Sequence, residues 1–420
     1  MQTARQPLLA NFDLTAPVVY RGRREDAAVH LSSGLTNGFG TYSRPHPPRS
    51  QDRVLERGYN GNGNHHDQMP WAESDPTNSG QPALQSPLSP VPKINMEAYW
   101  EPNHHRSGWR YALDGLRSLH HPQGVLLDGF LEKKFAWGSD PGERHNDWRP
   151  YSHPWIGILH NPPHVPPWFN MNGQAPADIM RSSCWQRSMQ FCCGIFTLSN
   201  YLKSWLQPQV PVTVCSLFHP TEIPEKQFSI RKYRRNSQRK IVQVGWWLRR
   251  FRSLYELRVR GFSKLLLDLG QHWIDKIRFS EMESLDDRAL DSVEISPYLH
   301  NDAYDDLLSE NLVFLHLYDS SANNALIECI ARGTPVLVNP LPAVIEYLGA
   351  EYPLYFDTLE EAAAKAEDDQ LVTDAHHYLS SDSLRGKLAG KYFVRSFVES
   401  EIYRSLPELT LSHGYALNGR

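Results

Sequence analysis

Glu328 is the acid whose setting most suggests chemistry. It stands one turn into an apolar segment, Ala325 to Arg332, behind a loop of small and capping residues, Ser320-Ser321-Ala322-Asn323-Asn324. Ser and Asn in such a loop accept hydrogen bonds from the first turn of a helix. The exposed N–H groups and the dipole of that turn also attract anions. A carboxylate set among apolar neighbours needs hydroxyl or cationic partners. Phosphate at the helix tip and a diol at Glu328 fit together as a nucleotide diphosphate with its ribose. The plainer alternatives are a structural acid paired with a nearby arginine, and asparagines that only cap. Arg249 and Arg250 are candidate cations for a departing diphosphate where no metal motif supplies one; as surface charges they would do nothing. His160 ends an apolar run before the loop NPPHVPPW, where a lone histidine often serves only as a loop hydrogen-bonder. His153, His160 and His164 lack the helical HExxH spacing of a zinc site, so no metal is expected. No GKS/T phosphate loop, GxSxG or CxxC occurs, which counts against kinase, serine hydrolase and redox chemistry.

The elements around these residues read as α/β. Asn311 to Tyr318 is a strand, Ala325 to Arg332 a helix apolar nearly all round and hence buried, and Pro335 to Asn339 another strand. Gly333 sits where a helix C-cap belongs, and Thr334-Pro335 blocks continuation. Upstream, KINMEAYW, VLLDGF, WIGILH, CCGIFTLS and PVTVCSLF read as strands. Helical patterns lie between them at Trp109–Leu119, Pro176–Gln190 and Tyr201–Leu206. KIVQVGWWL, KLLLDLG and VEISPYL form a second such series, followed by a helix over 302–309 capped by Asn301. AEYPLYF reads as a short edge strand, and Thr358–Ala366 and Ser383–Tyr403 as helices. Alternation of this kind predicts two doubly wound, Rossmann-like domains, with ligands in a cleft at the carboxyl ends of their strands. The expected divisions are an irregular, low-complexity extension over 1–93, a first domain over 94–224, a basic linker over 225–240, a second domain over 241–382, and a closing helical segment over 383–420.

The chain of 420 residues has room for such a pair of cores, and its net charge of -4 gives no general drive toward nucleic acid. Five cysteines, an odd number in mostly apolar settings, favour free thiols and a reducing compartment. No apolar run reaches the roughly 18 residues of a membrane span. The first residues, MQTARQPLLANFDLTAPVVYRGRR, lack the apolar core of a signal peptide. A cytoplasmic location is therefore expected. The run Arg231-Lys232-Tyr233-Arg234-Arg235 reads as solvated linker, or as a contact for an anionic membrane surface or lipid-linked acceptor.

Glu328-Cys329-Ile330-Ala331-Arg332-Gly333-Thr334-Pro335-Val336, followed by Glu346-Tyr347-Leu348-Gly349, resembles the nucleotide-sugar segment of GT-B fold glycosyltransferases. It resembles particularly the retaining group of the glycogen synthase and sucrose synthase type (glycosyltransferase family 4-like). Upstream, VGWWLRR is similar to that family's VGR strand and loop, WIGILH to a strand whose histidine lies near the transferred sugar, and RSGWRYALDGLRSL to the loop and helix beside the acceptor. The likeness spans roughly residues 95–405 and is specific only over Asp319–Gly349. It implies two Rossmann-like domains facing a cleft, and transfer of a sugar from a nucleotide-diphosphate sugar to a hydroxyl of a saccharide or lipid-linked glycan, with retention and without a metal or other cofactor. It further implies that Glu328 holds ribose, that the Ser320, Ser321, Asn323 and Asn324 loop and Arg249 or Arg250 hold phosphates, and that Thr334 and Glu346 border the pocket. His160 would stand at the reaction centre, with Ser107 and Gly108 on the acceptor side. The sequence departs from the family at two places: the first of its two acids is Ser320, and its arginine after VG is Trp246. A GT-B protein that binds a nucleotide sugar without transfer, and a nucleotide-sugar epimerase on the same fold, are the alternatives.

Overall fold

The computed structural model describes residues 90–96, 108–136, 149–267, 281–282, 284–296 and 299–408. The chain divides into units Met1–Pro82 and Ala83–Arg420, and every described residue belongs to the second. Ser107 and nearly all of the extension lie outside the described residues.

The first half is a parallel sheet of β1 (Ile94–Asn95), β2 (Val125–Asp128), β3 (Trp155–Leu159), β4 (Cys192–Thr197) and β5 (Val214–Ser216), in that spatial order. Parallel strands need crossovers, and these cover both faces. On β3 the alternation is clear: Ile156 and Ile158 join one apolar layer, Trp155 and Leu159 the other. Helix α1 (Trp109–Leu116) covers the first face. Its Trp109, Leu113 and Leu116 recur at helical spacing and are all buried, and a 3-10 turn carries the stripe on to Leu119. Helices α2 (Leu131–Phe135) and α3 (Asn200–Leu206) cover the second face.

The second half is a parallel sheet of β6 (Lys240–Val244), β7 (Ser263–Leu267), β8 (Val293–Ser296), β9 (Leu312–Leu315) and β10 (Val336–Val338). Its spatial order is β10-β9-β6-β7-β8, so the chain reverses direction across the sheet between β6 and β9. Such a switch point opens a crevice at the carboxyl ends of the two strands. Helix α4 (Asn301–Leu308) leads into β9, α5 (Asn324–Arg332) joins β9 to β10, and α6 (Pro342–Leu348) follows β10. Every residue of α5 from Ala325 to Arg332 is buried, as its all-round apolar sequence requires. Gly333 takes the left-handed C-cap conformation, with φ of 69°.

Helix α7 (Gly390–Glu399) and the turn of helix after it (Glu401–Ser405) return to the first half. Phe393, Phe397, Ile402 and Tyr403 pack on the α1 face of its sheet. Gly194 on β4 is required there, because a Cβ would lie 2.7 Å from Ile402 Cγ1.

Several elements differ from the sequence expectation. The basic segment 225–240 contains a helix, Ile230–Arg235, whose Tyr233 is fully buried. His300 rather than Asn301 holds the N-cap position of α4, and no side chain caps it. Ser182 interrupts the helix over 176–190 because its hydroxyl accepts from Trp185 N–H and starts a new helix. The edge segment near Tyr355 forms only an isolated bridge to Val338. Asp369–Leu379 is a further helix, capped by Asp368, between the two helical segments expected over 358–366 and 383–403. All five cysteines are free.

Candidate active site between the two halves

The switch point carries Arg249. After Val244, Gly245 (φ 76°) and Leu248 (φ 56°) turn the chain back, and Arg249 returns to the end of β6. Its Nε donates to Val244 O (3.2 Å), Nη1 to Trp247 O (2.7 Å) and Nη2 to Asn323 Oδ1 (3.2 Å). Gly245 is constrained twice, by its φ and by Arg249 Nη2, 3.3 Å from where a Cβ would stand. Arg249 is 7% exposed, and burial pulls its pKa down to about 10, so it stays charged at neutral pH. Among the described residues no carboxylate lies within ion-pair distance of it. A buried cation held only by neutral oxygens lacks its compensating charge. Asn323 Oδ1 also accepts Leu326 N–H, capping α5. The guanidinium thus adjoins the positive end of a buried helix, and both favour an anion. Arg250 turns elsewhere: its Nε donates to Leu317 O and its guanidinium lies over the Tyr318 ring, 4.1 Å from the centroid.

Glu328 lies one turn inside α5. Its Oε2 accepts from Tyr304 Oη (2.5 Å) and lies 3.5 Å from Arg332 Nη1. Arg332 in turn binds Asp305 through Nε (3.1 Å) and Nη2 (2.5 Å). This buried network joins α4 to α5. Tyr304 was not singled out from sequence, whereas the i,i+4 pairing of Glu328 with Arg332 could be read from it. Thr334 does not border the pocket. Its hydroxyl donates to Leu308 O (2.8 Å), at the amino ends of the strands and so at the opposite edge of the sheet.

Two of the expected donor-side residues, Ser321 and Glu346, face the first half, as do Tyr347 and Asp319. Both Glu346 oxygens accept N–H groups of α3, from Asn200 (2.7 Å) and Tyr201 (2.6 Å). Ser321 Oγ meets Ser199 Oγ at 3.2 Å. Tyr347 Oη donates to Leu198 O and accepts from His219 N–H, both at 2.9 Å. Asp319 accepts from His164 N–H (2.9 Å) and Tyr201 Oη (3.1 Å), and through its other oxygen from Ser320 N–H (2.8 Å). Burial raises the Asp319 pKa. Phe169, directly after the NPPHVPPW loop, is fully buried against Trp246, Trp247 and Tyr318 of the second half. The halves are therefore fastened beside the switch point.

His160 follows β3 at this edge. Its ring stacks on Phe130 (4.0 Å between centroids) and meets Trp109 edge-on (4.5 Å). Nε2 lies 2.9 Å from Gly129 O. A carbonyl can only accept, so Nε2 carries the proton and Nδ1 the lone pair. Burial lowers the pKa to about 3, and the ring is neutral. Glu132, unremarked in the sequence, holds the backbone: its Oε1 accepts N–H from His160 (2.8 Å) and Asn161 (2.5 Å). Glu132 is fully buried with Oε2 unpartnered, and burial raises its pKa to about 7. Gly108 is the N-cap residue of α1, next to Trp109.

No family model matches the chain, and no curated protein matches it in sequence. Among solved structures, sucrose-phosphate synthase from Thermosynechococcus elongatus is similar with a TM-score of 0.50 and 11% identity, over 67% of this chain and 73% of that one. HepE from Anabaena, solved in complex with UDP-glucose, has a TM-score of 0.46 and 12% identity, over 59% and 71%. A UDP-forming trehalose-phosphate synthase from Burkholderia xenovorans has 0.44 and 10%, over 71% and 79%. The likeness to sucrose-phosphate synthase is one of fold. The chain has the GT-B fold, two Rossmann-like halves that meet at the carboxyl ends of their strands.

Proposed function

We propose that this protein is a glycosyltransferase that moves a sugar from a nucleotide-diphosphate sugar to a hydroxyl of a saccharide or lipid-linked glycan, with retention and without a metal. The observation that carries this reading is Arg249: a buried guanidinium with no carboxylate beside it among the described residues, next to the capped N-terminus of α5 at a switch point. A diphosphate supplies the missing charge. Residues 241–382 would hold the donor and 94–224 the acceptor, joined through 225–240. Glu328, its Oε2 fixed by Tyr304, would take the ribose diol; the 320–324 loop would take phosphate through its N–H groups. As the bond from the anomeric carbon to the diphosphate oxygen breaks, negative charge gathers on the leaving group, and Arg249 and the helix end stabilise it. The acceptor oxygen bonds to the same face of that carbon, and its proton passes to a leaving phosphate oxygen. His160, neutral and with Nδ1 unprotonated, would accept a hydrogen bond from a sugar hydroxyl. A cytoplasmic location, with the basic 231–235 segment touching an anionic membrane surface, belongs to the same proposal; among the described residues no helix is long and apolar enough to cross a membrane.

The test is a binding panel of UDP, GDP, ADP, CMP and NAD, followed by radiolabelled transfer with the sugar donors of whichever nucleotide binds. Binding of NAD alone, or of none, sinks the proposal. Ser320, where the resembling family has an acid, favours one rival, a binder of nucleotide sugar without transfer. That rival predicts nucleotide binding with no transfer from any donor.

A further inference from the structure

The stretch His160-Asn161-Pro162-Pro163-His164 leaves β3 with only three backbone N–H groups, since proline has none. Buried carboxylates hold all three. Glu132 Oε1 accepts from His160 (2.8 Å) and Asn161 (2.5 Å), and Asp319 Oδ2 accepts from His164 (2.9 Å). Glu132 is fully buried and Asp319 is 4% exposed. The first acid belongs to the first half and the second to the other half. Glu132 is firmly seated, because α2 presses so closely on β3 that a Cβ at Gly157 would strike Leu131. The loop leading into α2 also holds the His160 imidazole, through Gly129 O and the Phe130 ring.

Between the two clamps the backbone is stiff. The rings of Pro162 and Pro163 fix φ, and Asn161 and Pro162, each preceding a proline, are confined to extended conformations. Both prolines are buried. A stretch with so little freedom opens and closes as one piece. At its far end Asp319 is bound on two further sides. Oδ2 also takes Tyr201 Oη (3.1 Å), and Oδ1 takes the N–H of Ser320 (2.8 Å), the first residue of the loop in front of α5. We infer that Asp319 is a positioning residue: through this strap it holds His160 in register with the 320–324 loop of the other half. No hydrogen bond joins Asp319 to His160 among the described residues, so the strap carries the linkage. The use of His160 in glycosyl transfer rests on the transferase reading; the linkage itself does not.

The test follows the full chain labelled with ¹⁵N in histidine, with His160→Gln, His164→Gln and His219→Gln to assign the signals. Asp319→Ala removes the far clamp. The expected result is hydrogen exchange about tenfold faster at the backbone N–H of both His164 and His160, with a shift of the His160 Nε2–H resonance. His219 N–H, tied to Tyr347 at the same junction (2.9 Å), is the reference and should keep its rate within about twofold. A strut that merely joins the halves would quicken His219 as much as His160, or quicken His164 and leave His160 unchanged; either result overturns the inference. Should Asp319→Ala fail to fold, wild type decides. Protection at His160 and His164 should then agree within about threefold, as for one opening unit, and a wider gap overturns it. None of these measurements needs a nucleotide, so a failure of UDP to bind would refute the donor reading while the exchange rates still decide this one.

Discussion

Arg249→Met separates a functional cation from a structural one. Arg249 holds its charge in the folded protein although burial lowers its pKa from the ordinary guanidinium value to about 10. That shift corresponds to roughly 3 kcal/mol of destabilisation. For a base with a lowered folded pKa, the cost is present wherever both states are charged, at every pH below about 10, and fades only as pH rises from there toward the ordinary guanidinium value. Methionine fills similar space without charge, so the cost disappears. Against this stands the loss of hydrogen bonds to Val244, Trp247 and Asn323, each worth about 1 kcal/mol net. The two sums nearly cancel, and the ligand-free variant should unfold within a few degrees of wild type. Binding should change sharply. A charge-assisted bond to phosphate is worth about 1.5–3 kcal/mol, up to a hundredfold in affinity. With UDP at about 100 times the wild-type Kd, linkage stabilises wild type by about 2.7 kcal/mol and the variant by only about 0.4. At about 2 °C per kcal/mol, the UDP-induced rise in Tm falls from about 5 °C to about 1 °C. A thermal-shift titration measures both quantities. A variant several kcal/mol less stable, yet with an unchanged UDP shift, would show that Arg249 is a strut and that the diphosphate lies elsewhere.

Other outcomes follow from the same geometry. Glu132 has a folded pKa raised to about 7, so between pH 4.5 and 7 the folded chain keeps a proton the unfolded chain has released. Its contribution therefore worsens by roughly 3 kcal/mol as pH rises through that window, and Glu132→Gln should gain stability over wild type at pH 8 but not at pH 5, compared by paired melts. Glu346→Ala strips two acceptors from α3 and should destabilise by about 1–2 kcal/mol, leaving UDP affinity within a few-fold. Loss of UDP binding in a folded Glu346→Ala protein would instead return this residue to the pocket. Tyr304→Phe removes the hydroxyl from Glu328 and should lower stability by about 1–3 kcal/mol and weaken UDP; unchanged UDP affinity, measured by calorimetry, would detach Glu328 from the ribose.

The residues of α5 were legible because their signals are local. Asn323 caps, the apolar run buries, and Gly333 stops the helix, all within eleven positions of sequence. The strands announced themselves as apolar runs between turns for the same reason. Arg249 could be narrowed to a few arginines but not chosen, since the choice depends on the left-handed turn at Gly245 and Leu248. Leu248 with a positive φ is not a residue that propensity would place there. Glu346 reads as a donor-side residue because its neighbours in sequence lie there, and Asp319 carries no local signal of its role. Their partners stand 145 and 155 positions away, on the other half. Glu132 sits in LEKKF, whose lysines suggest an ordinary exposed turn, and only the packing of α2 under the end of β3 buries it. That Glu132 and Asp319 hold the same stretch, His160 to His164, is likewise a product of topology.

The return of α7 has a consequence for how the chain comes to be folded. During synthesis the strands of the first sheet emerge early, but Phe393, Phe397, Ile402 and Tyr403, which share the cover of one of its faces with α1, emerge only after the whole second sheet. Lys93 Nζ reaches Leu406 O at 3.0 Å, and Tyr403 Oη reaches Val91 O at 2.6 Å, so segments three hundred residues apart close the same seam. The first half must wait with the part of that face beyond α1 uncovered, while the second half can assemble around β9 and α5 ahead of it. A domain usually gains order as it leaves the ribosome. Here the earlier half should be the later to mature and the one most in need of chaperone cover. A protein cut after residue 389 should carry a folded second half and a sticky, protease-sensitive first one.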